Sequence, residues 1–401
     1  MPLPTLEDLK EQIFRCTGEG YCREQVRTPP HRAVDYVFKT CPVREHVEGN
    51  FDVFTGKGKA WIARGVLERG FTYTPYIIDV IYKCTTCGLC REVCLSADGN
   101  PEQIDHPAIV EALRYDIVSR GLAPENTIRI KKLTEKYHNP YGEDHKKRLN
   151  WLAEIEIKPG GGDILYFYGC TSAYRTPEIA KATVELFKAA GVNFTVLEDE
   201  WCCGSVLLRT GHRDLFEDLV NANVEKIKDV GVSTIVTSCA GCYRTLKIDY
   251  PLVTKDFKFK VLHTVELLDE LVREGSLRLS REVRKVVTYH DPCHLGRHCR
   301  VFDAPRNLLK RIPGLKFVEM KRIKEYSWCC GAGGGLKSYD NALATSMAVD
   351  RHVEAKEVNA DVIVSACPFC KRNLSDAASA ASKNACEVVD IVELLKNAAS
   401  L

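Results

Sequence analysis

Cysteine is the residue type whose number and spacing promise chemistry in this 401-residue chain, which carries 19 of them. Ten fall into two five-member patterns of one design: a lone Cys, a Cys-Cys-Gly triplet and a CxxC. The first comprises Cys170, Cys202-Cys203-Gly204 and Cys239-Ala-Gly-Cys242, the second Cys293, Cys329-Cys330-Gly331 and Cys367-Pro-Phe-Cys370. In the first, 31 residues separate Cys170 from Cys202 and 35 separate Cys203 from Cys239; the second has 35 and 36. Five soft thiolates exceed the four that a tetrahedral zinc takes, so each set calls for a polynuclear iron–sulfur centre and the chain for a redox role.

A third pattern lies upstream. Cys84-Thr-Thr-Cys87-Gly-Leu-Cys90-Arg-Glu-Val-Cys94 is the CxxCxxCxxxC run that wraps a cubane 4Fe-4S cluster in bacterial-type ferredoxins, with Leu95 where Pro is usual. An earlier stretch, Cys16 to Val26, aligns with it at an offset of 68 residues, with Glu19 at the second Cys position and Val26 at the fourth. Cys41-Pro42 supplies the missing Cys-Pro. Because the fourth Cys of each run serves the other cluster in two-cluster ferredoxins, one cubane is expected on Cys84, Cys87, Cys90 and Cys41. The other has Cys16, Cys22, Cys94 and an open corner, which Glu19, solvent or a three-iron cluster would accommodate.

The elements that position these residues change character along the chain. Before residue 160 the sequence reads as helical, with an amphipathic stretch at Ala60–Leu67 and an interruption at Pro29-Pro30. Pro159-Gly160-Gly161-Gly162 reads as a linker. Short apolar runs then alternate with helical stretches: 164–168, 194–197 and 234–237, repeated at 286–289, 317–319 and 361–364. Val265-Glu-Leu-Leu268 recurs as Val392-Glu-Leu-Leu395, in step with the cysteines. This is α/β alternation with a parallel sheet, built twice. The expected organisation is a helical ferredoxin-like domain over 1–158 and two Rossmann-like α/β modules over 163–283 and 284–401. The lone Cys and the CxxC directly follow strands, where such sheets collect ligands. A Cys-Cys pair can face one cluster only if the backbone turns, which the following Gly permits.

Other features weigh less. A net charge of +2 names no nucleic-acid partner, and no apolar run reaches the roughly 18 to 20 residues of a membrane helix. So many cysteines without a signal segment suit a reducing, cytoplasmic interior, with any membrane contact made through a partner. The basic stretch Arg129 to Arg148 reads as a solvated face or a dock for an acidic partner. Gly331-Ala-Gly-Gly-Gly335 lacks the ending of a phosphate loop and fits close backbone approach instead. Tyr289 to His298 concentrates titratable groups beside Cys293, of which Arg297 and His298 are candidates for binding an anionic substrate. Cys299 and Cys386 stand outside every pattern.

Two complete Cys-Cys-Gly modules preceded by a ferredoxin-like segment resemble the D subunit of heterodisulfide reductase, over nearly the whole chain. The resemblance implies noncubane 4Fe-4S clusters on Cys170, Cys202, Cys203, Cys239 and Cys242, and on Cys293, Cys329, Cys330, Cys367 and Cys370. It implies four clusters in all, electrons passing from the cubanes to the noncubane pair, and reduction of a disulfide there. The implied partner is a b-type cytochrome or flavoprotein subunit in a hetero-oligomeric complex, held peripherally at the inner face of the membrane. The competing expectation is a non-catalytic electron-transfer subunit serving a flavoprotein dehydrogenase of lactate or glycolate type or a CoA-ester reductase.

Overall fold

A computed structural model describes residues 3–25, 38–94, 104–152, 161–380 and 385–400. Val26, Pro29-Pro30, Leu95 and Pro159-Gly160 lie outside the described residues. The N-terminal part is helical, as expected. Its main elements are α1 (Gly56–Arg69), α2 (His106–Ser119) and α3 (Glu125–Tyr137), with a two-residue antiparallel ladder between β1 (Glu24–Gln25) and β2 (Phe38–Lys39). Pro107 at the start of α2 and the Asp105 side chain accepting from Ala108 N at 3.1 Å fix where that helix begins. Among the described residues no helix is long and apolar enough to cross a membrane.

After residue 163 the apolar runs become two four-stranded parallel sheets. The first holds β3 (Ile164–Tyr166), β4 (Phe194–Thr195), β5 (Thr234–Thr237) and β6 (Lys260–His263), in the order β4-β3-β5-β6. The second holds β7 (Val286–His290), β8 (Lys316–Phe317), β9 (Val362–Ser365) and β10 (Glu387–Asp390), in the order β10-β9-β7-β8, the same topology read from the other edge. Buried side chains along β5 and β9 match sheets covered on both faces.

β6 and β10 are not among the runs that the sequence pattern marks. Each is a four-residue edge strand opening on an exposed charge, Lys260 or Glu387, so neither makes a long apolar run. Each leads at once into a helix, α5 (Thr264–Glu274) from β6 and the C-terminal Ile391–Ala398 helix from β10, and the same cap closes both. His263 Nδ1 accepts from Val265 N at 3.3 Å and Glu266 from His263 N at 2.8 Å; Asp390 and Glu393 repeat this at 3.2 and 2.8 Å. The repeated Val-Glu-Leu-Leu is thus the first turn of a capped helix, and the cap marks the strand before it.

The halves exchange helices. α5 packs on α6 (Asp303–Lys310) of the second half, and the Ile391–Ala398 helix packs on the Pro177–Ala189 helix of the first. One apolar core accordingly runs through both halves. A second core joins the N-terminal helices to one face of the second half through Trp328, Leu336, Leu343 and Met347.

Candidate iron–sulfur centres

The three cysteine-bearing segments of each half leave the carboxyl ends of its strands. Cys170 follows β3, Cys202-Cys203 the β4 segment and Cys239 β5; Cys293, Cys329-Cys330 and Cys367 follow β7, β8 and β9 in the same way. Gly204 and Gly331 carry φ of 79° and 87°, and a Cβ on either would lie 2.5 Å from the Phe216 ring or 2.3 Å from Ala344 O. Only glycine makes this turn, which lets the cysteine pair face its partners.

Nine of these ten cysteines line one cavity of about 330 Å³ between the halves, Cys329 being the exception. All of the first set and Cys293, Cys330, Cys367 and Cys370 of the second line it. Cys330 and Cys370 Sγ stand 3.4 Å apart, and contact with Cys202 and Cys242 pulls the Cys203 thiol down to about 6. The sets also meet across the cavity, where the Cys239 and Cys367 thiols are close enough to shift one another's titration.

In the N-terminal part, Cys41, Cys84, Cys87 and Cys90 line a cavity of about 30 Å³. Burial pushes the Cys41 thiol up to about 12. The charges bearing on Cys16 are those of Cys22 and Cys94, so these three thiols form a second group. Cys90 feels Cys22 as well as Cys84, Cys87 and Cys41, so the two groups adjoin. Glu19 is exposed on the loop between Gly18 and Gly20, whereas Cys16 and Cys22 are buried. The neighbouring Cys329 draws the Cys87 thiol down to about 5 and joins this group to the second Cys-Cys-Gly set.

All nineteen cysteines are free thiols, and these buried, mutually contacting sulfurs are a donor set suited to iron–sulfur clusters and beyond the needs of zinc. Gly334 explains how the parts come so close: a Cβ there would meet Cys84 O at 2.7 Å. The fully buried Arg114 crosses the same junction, donating to Gly334 O and Arg209 O at 2.7 Å each and to Cys84 O at 2.6 Å. The glycine run therefore accommodates the N-terminal cysteine loop.

Two expectations need correction. Arg297 and His298 are absent from the cavity lining. Arg297 is 1% exposed and donates to Cys87 O at 2.7 Å and Ser327 O at 2.5 Å, while His298 Nε2 meets Thr86 O at 2.9 Å. Both hold the N-terminal cysteine loop and lie outside the cavity. Arg148 is likewise no part of a basic surface: it is fully buried, paired with Glu200, and donates to Cys170 Sγ at 3.4 Å. Of the two unpatterned thiols, Cys386 is buried with Sγ 3.2 Å from Ala360 O, and burial raises Cys299 to about 12.

Cations that do line the cavity are Arg175, Arg209, Lys337 and Arg372. Arg175 pairs with Glu143 at 2.7 Å, Lys337 with Asp376 at 2.6 Å, and Arg209 with Glu111 and Asp249. Arg372 lies over the Tyr141 ring at 5.7 Å and has no carboxylate partner among the described residues. The sequence carries a signal for it: Arg372 stands two residues after Cys370, as Arg244 does after Cys242. Arg244 is buried and paired with Glu111 at 3.3 Å.

The cysteine-rich CCG domain family matches residues 164–247 and 287–375. The D subunit of the dihydromethanophenazine:CoB–CoM heterodisulfide reductase of Methanosarcina barkeri is 44% identical over 332 residues, covering 80% of this chain and 79% of the relative. An EtfAB:quinone oxidoreductase of Syntrophomonas wolfei is 32% identical, with 82% of this chain and 48% of the relative covered. A hypothetical Helicobacter pylori protein of known structure shares the fold with a TM-score of 0.56, at 11% identity over 86% of this chain and 67% of its own. With its paired cysteine-rich α/β units and this degree of identity, the chain belongs to the family of iron–sulfur redox proteins typified by the D subunit of heterodisulfide reductase.

Proposed function

We propose that the chain is the iron–sulfur subunit of a heterodisulfide-reductase-type complex and that its two Cys-Cys-Gly sets form the site where a disulfide is reduced. The observation that carries this reading is the single cavity shared by both sets, with Cys239 close to Cys367 across it. Cys170, Cys202, Cys203, Cys239 and Cys242 would hold one noncubane 4Fe-4S cluster, and Cys293, Cys329, Cys330, Cys367 and Cys370 the other. Cys41, Cys84, Cys87 and Cys90 would hold a cubane, and Cys16, Cys22 and Cys94 a further one, with Glu19 the candidate at its fourth corner. When bound, such clusters supply single electrons, two of which turn a disulfide into two thiolates.

The chain's own residues would do the rest. Ile130, Val206 and Phe369 give the cavity apolar walls that shield the site from bulk water. Arg372, without a carboxylate partner among the described residues, offers a guanidinium to an acidic group on the disulfide. An anaerobic assay with the coenzyme M–coenzyme B disulfide and a reduced donor tests this, with turnover expected in the loaded protein and lost in Cys203→Ser. Loaded protein that accepts electrons from its donor but never reduces the disulfide would leave the second reading, an electron relay. The identity to an EtfAB:quinone oxidoreductase favours that reading, in which electrons are exchanged with a docked flavoprotein or b-type cytochrome partner.

A further inference from the structure

The two halves present the same sulfurs but not the same neighbours, and the sharpest difference is one position on the central strands. His290 ends β7, where its backbone pairs with Ser365 of β9. The residue is 1% exposed, and neither ring nitrogen has a hydrogen-bond partner among the described residues. A ring nitrogen and the Sγ atoms of Cys330 and Cys370 lie within 4.8 Å of one another. Aligning Cys293 with Cys170 puts Phe167, fully buried, in the place of His290.

A buried imidazole that donates to nothing costs free energy, so an unpartnered ring with the Cys330 and Cys370 sulfurs within 4.8 Å calls for one of those sulfurs as its acceptor. Its N–H favours whichever state carries more negative charge on the acceptor, which is the reduced one. Phenylalanine offers no such donor. Arg148, which does reach a sulfur in the first half, is largely neutralised by its own buried partner Glu200. The geometry points to His290 as a hydrogen-bond donor to a sulfur of the second Cys-Cys-Gly site, giving that site a higher reduction potential than the first. This rests on the proposal that both sets hold clusters, and it makes His290 a positioning and tuning residue rather than a ligand.

The test uses the full chain, loaded with iron and sulfide anaerobically, in redox titrations followed by electron paramagnetic resonance. A Cys203→Ser variant removes the first site's signal and thereby assigns the two. The wild type should give two distinct midpoints for the Cys-Cys-Gly sites. His290→Phe, which copies the residue of the first half, should lower the second site's midpoint towards the first with iron content unchanged. His290→Gln, which keeps an N–H, should recover part of the difference, and Phe167→His should raise the first site's midpoint. Identical midpoints in wild type and His290→Phe at full iron content overturn the proposal. So does the strong nitrogen coupling of a coordinated imidazole in pulsed spectra of protein carrying ¹⁵N-histidine. If His290→Phe fails to load, the Phe167→His variant decides, and an unmoved first-site midpoint counts against the donor role. Wild-type protein that binds iron only through its N-terminal cysteines would instead overturn the proposed function itself.

Discussion

The two Cys-Cys-Gly halves share strand order, turn glycines and all five sulfurs, yet they hold the loop of the lone cysteine by different means. In the first half, Glu200 accepts from Tyr168 N at 3.0 Å and Gly169 N at 2.9 Å, and its charge is met by Arg148 from the N-terminal part. In the second, Asp291 is bound at both oxygens by Arg306, at 2.7 and 2.9 Å, and also accepts from Lys324 N at 2.9 Å. That arrangement is internal to the half, and its outward arginine, Arg297, reaches the N-terminal cysteine loop instead. The two halves keep the same five-cysteine pattern and differ in what surrounds it. One half depends on the N-terminal part to balance a buried carboxylate, while the other uses an arginine of its own to grip that part.

The comparison can be broken most directly through the sulfurs. Cys203→Ser and Cys330→Ser are each expected to remove the iron of their own half, leave that of the other, and abolish disulfide reduction. Turnover surviving in either, at verified iron content, would mean that the halves do not act as a pair. Next in size are the buried ion pairs. Arg148→Ala removes the cation that meets the buried Glu200, at a cost of about 3 to 5 kcal/mol in unfolding free energy. Arg306→Ala should cost about as much by the same reasoning. Only Arg148→Ala should also raise amide exchange where residues 145–152 meet the first half, and equal exchange in the two variants would erase the distinction.

The paired arginines sharpen the same contrast at the cavity. Arg372→Gln should raise the KM for an anionic disulfide about 10- to 100-fold, as expected for a hydrogen bond to a charged group worth about 1.5 to 3 kcal/mol. Folding and the KM for an uncharged disulfide should stay near wild type. Arg244→Gln, which takes from the buried Glu111 one of its two arginine partners, should appear as a loss of stability, and a pure KM effect there would reverse the roles. The smallest effect belongs to the N-terminal pair. Glu19→Cys should change the electron paramagnetic resonance of the Cys16, Cys22, Cys94 site alone, and an unchanged spectrum would remove Glu19 from that corner.

Much of this architecture is legible in the cysteines, because sulfur ligands cannot drift along the chain without losing the metal. Their spacing marks the duplication, and the apolar runs mark six of the eight parallel strands. The edge strands β6 and β10 escape because four residues with an exposed charged end carry too little periodicity. The charged supports escape for another reason. Arg148 and Glu200, or Arg114 and the carbonyls it joins, lie far apart in sequence and meet only through tertiary packing. A run of Lys and Arg looks the same whether its last member faces water or a buried glutamate. Arg297 misleads because a cation next to a ligand cysteine in sequence need not face the same side of the backbone.

The exchanged helices have a consequence for synthesis. The groove on the Pro177–Ala189 helix is filled by residues 391–398, so a nascent chain leaving the ribosome must expose that apolar surface until more than two hundred further residues have been added. Of the two halves, the first is therefore made earlier yet is completed only with the second. Its thiols wait unshielded through that interval, when oxidation or a stray metal can capture them before the mature fold closes.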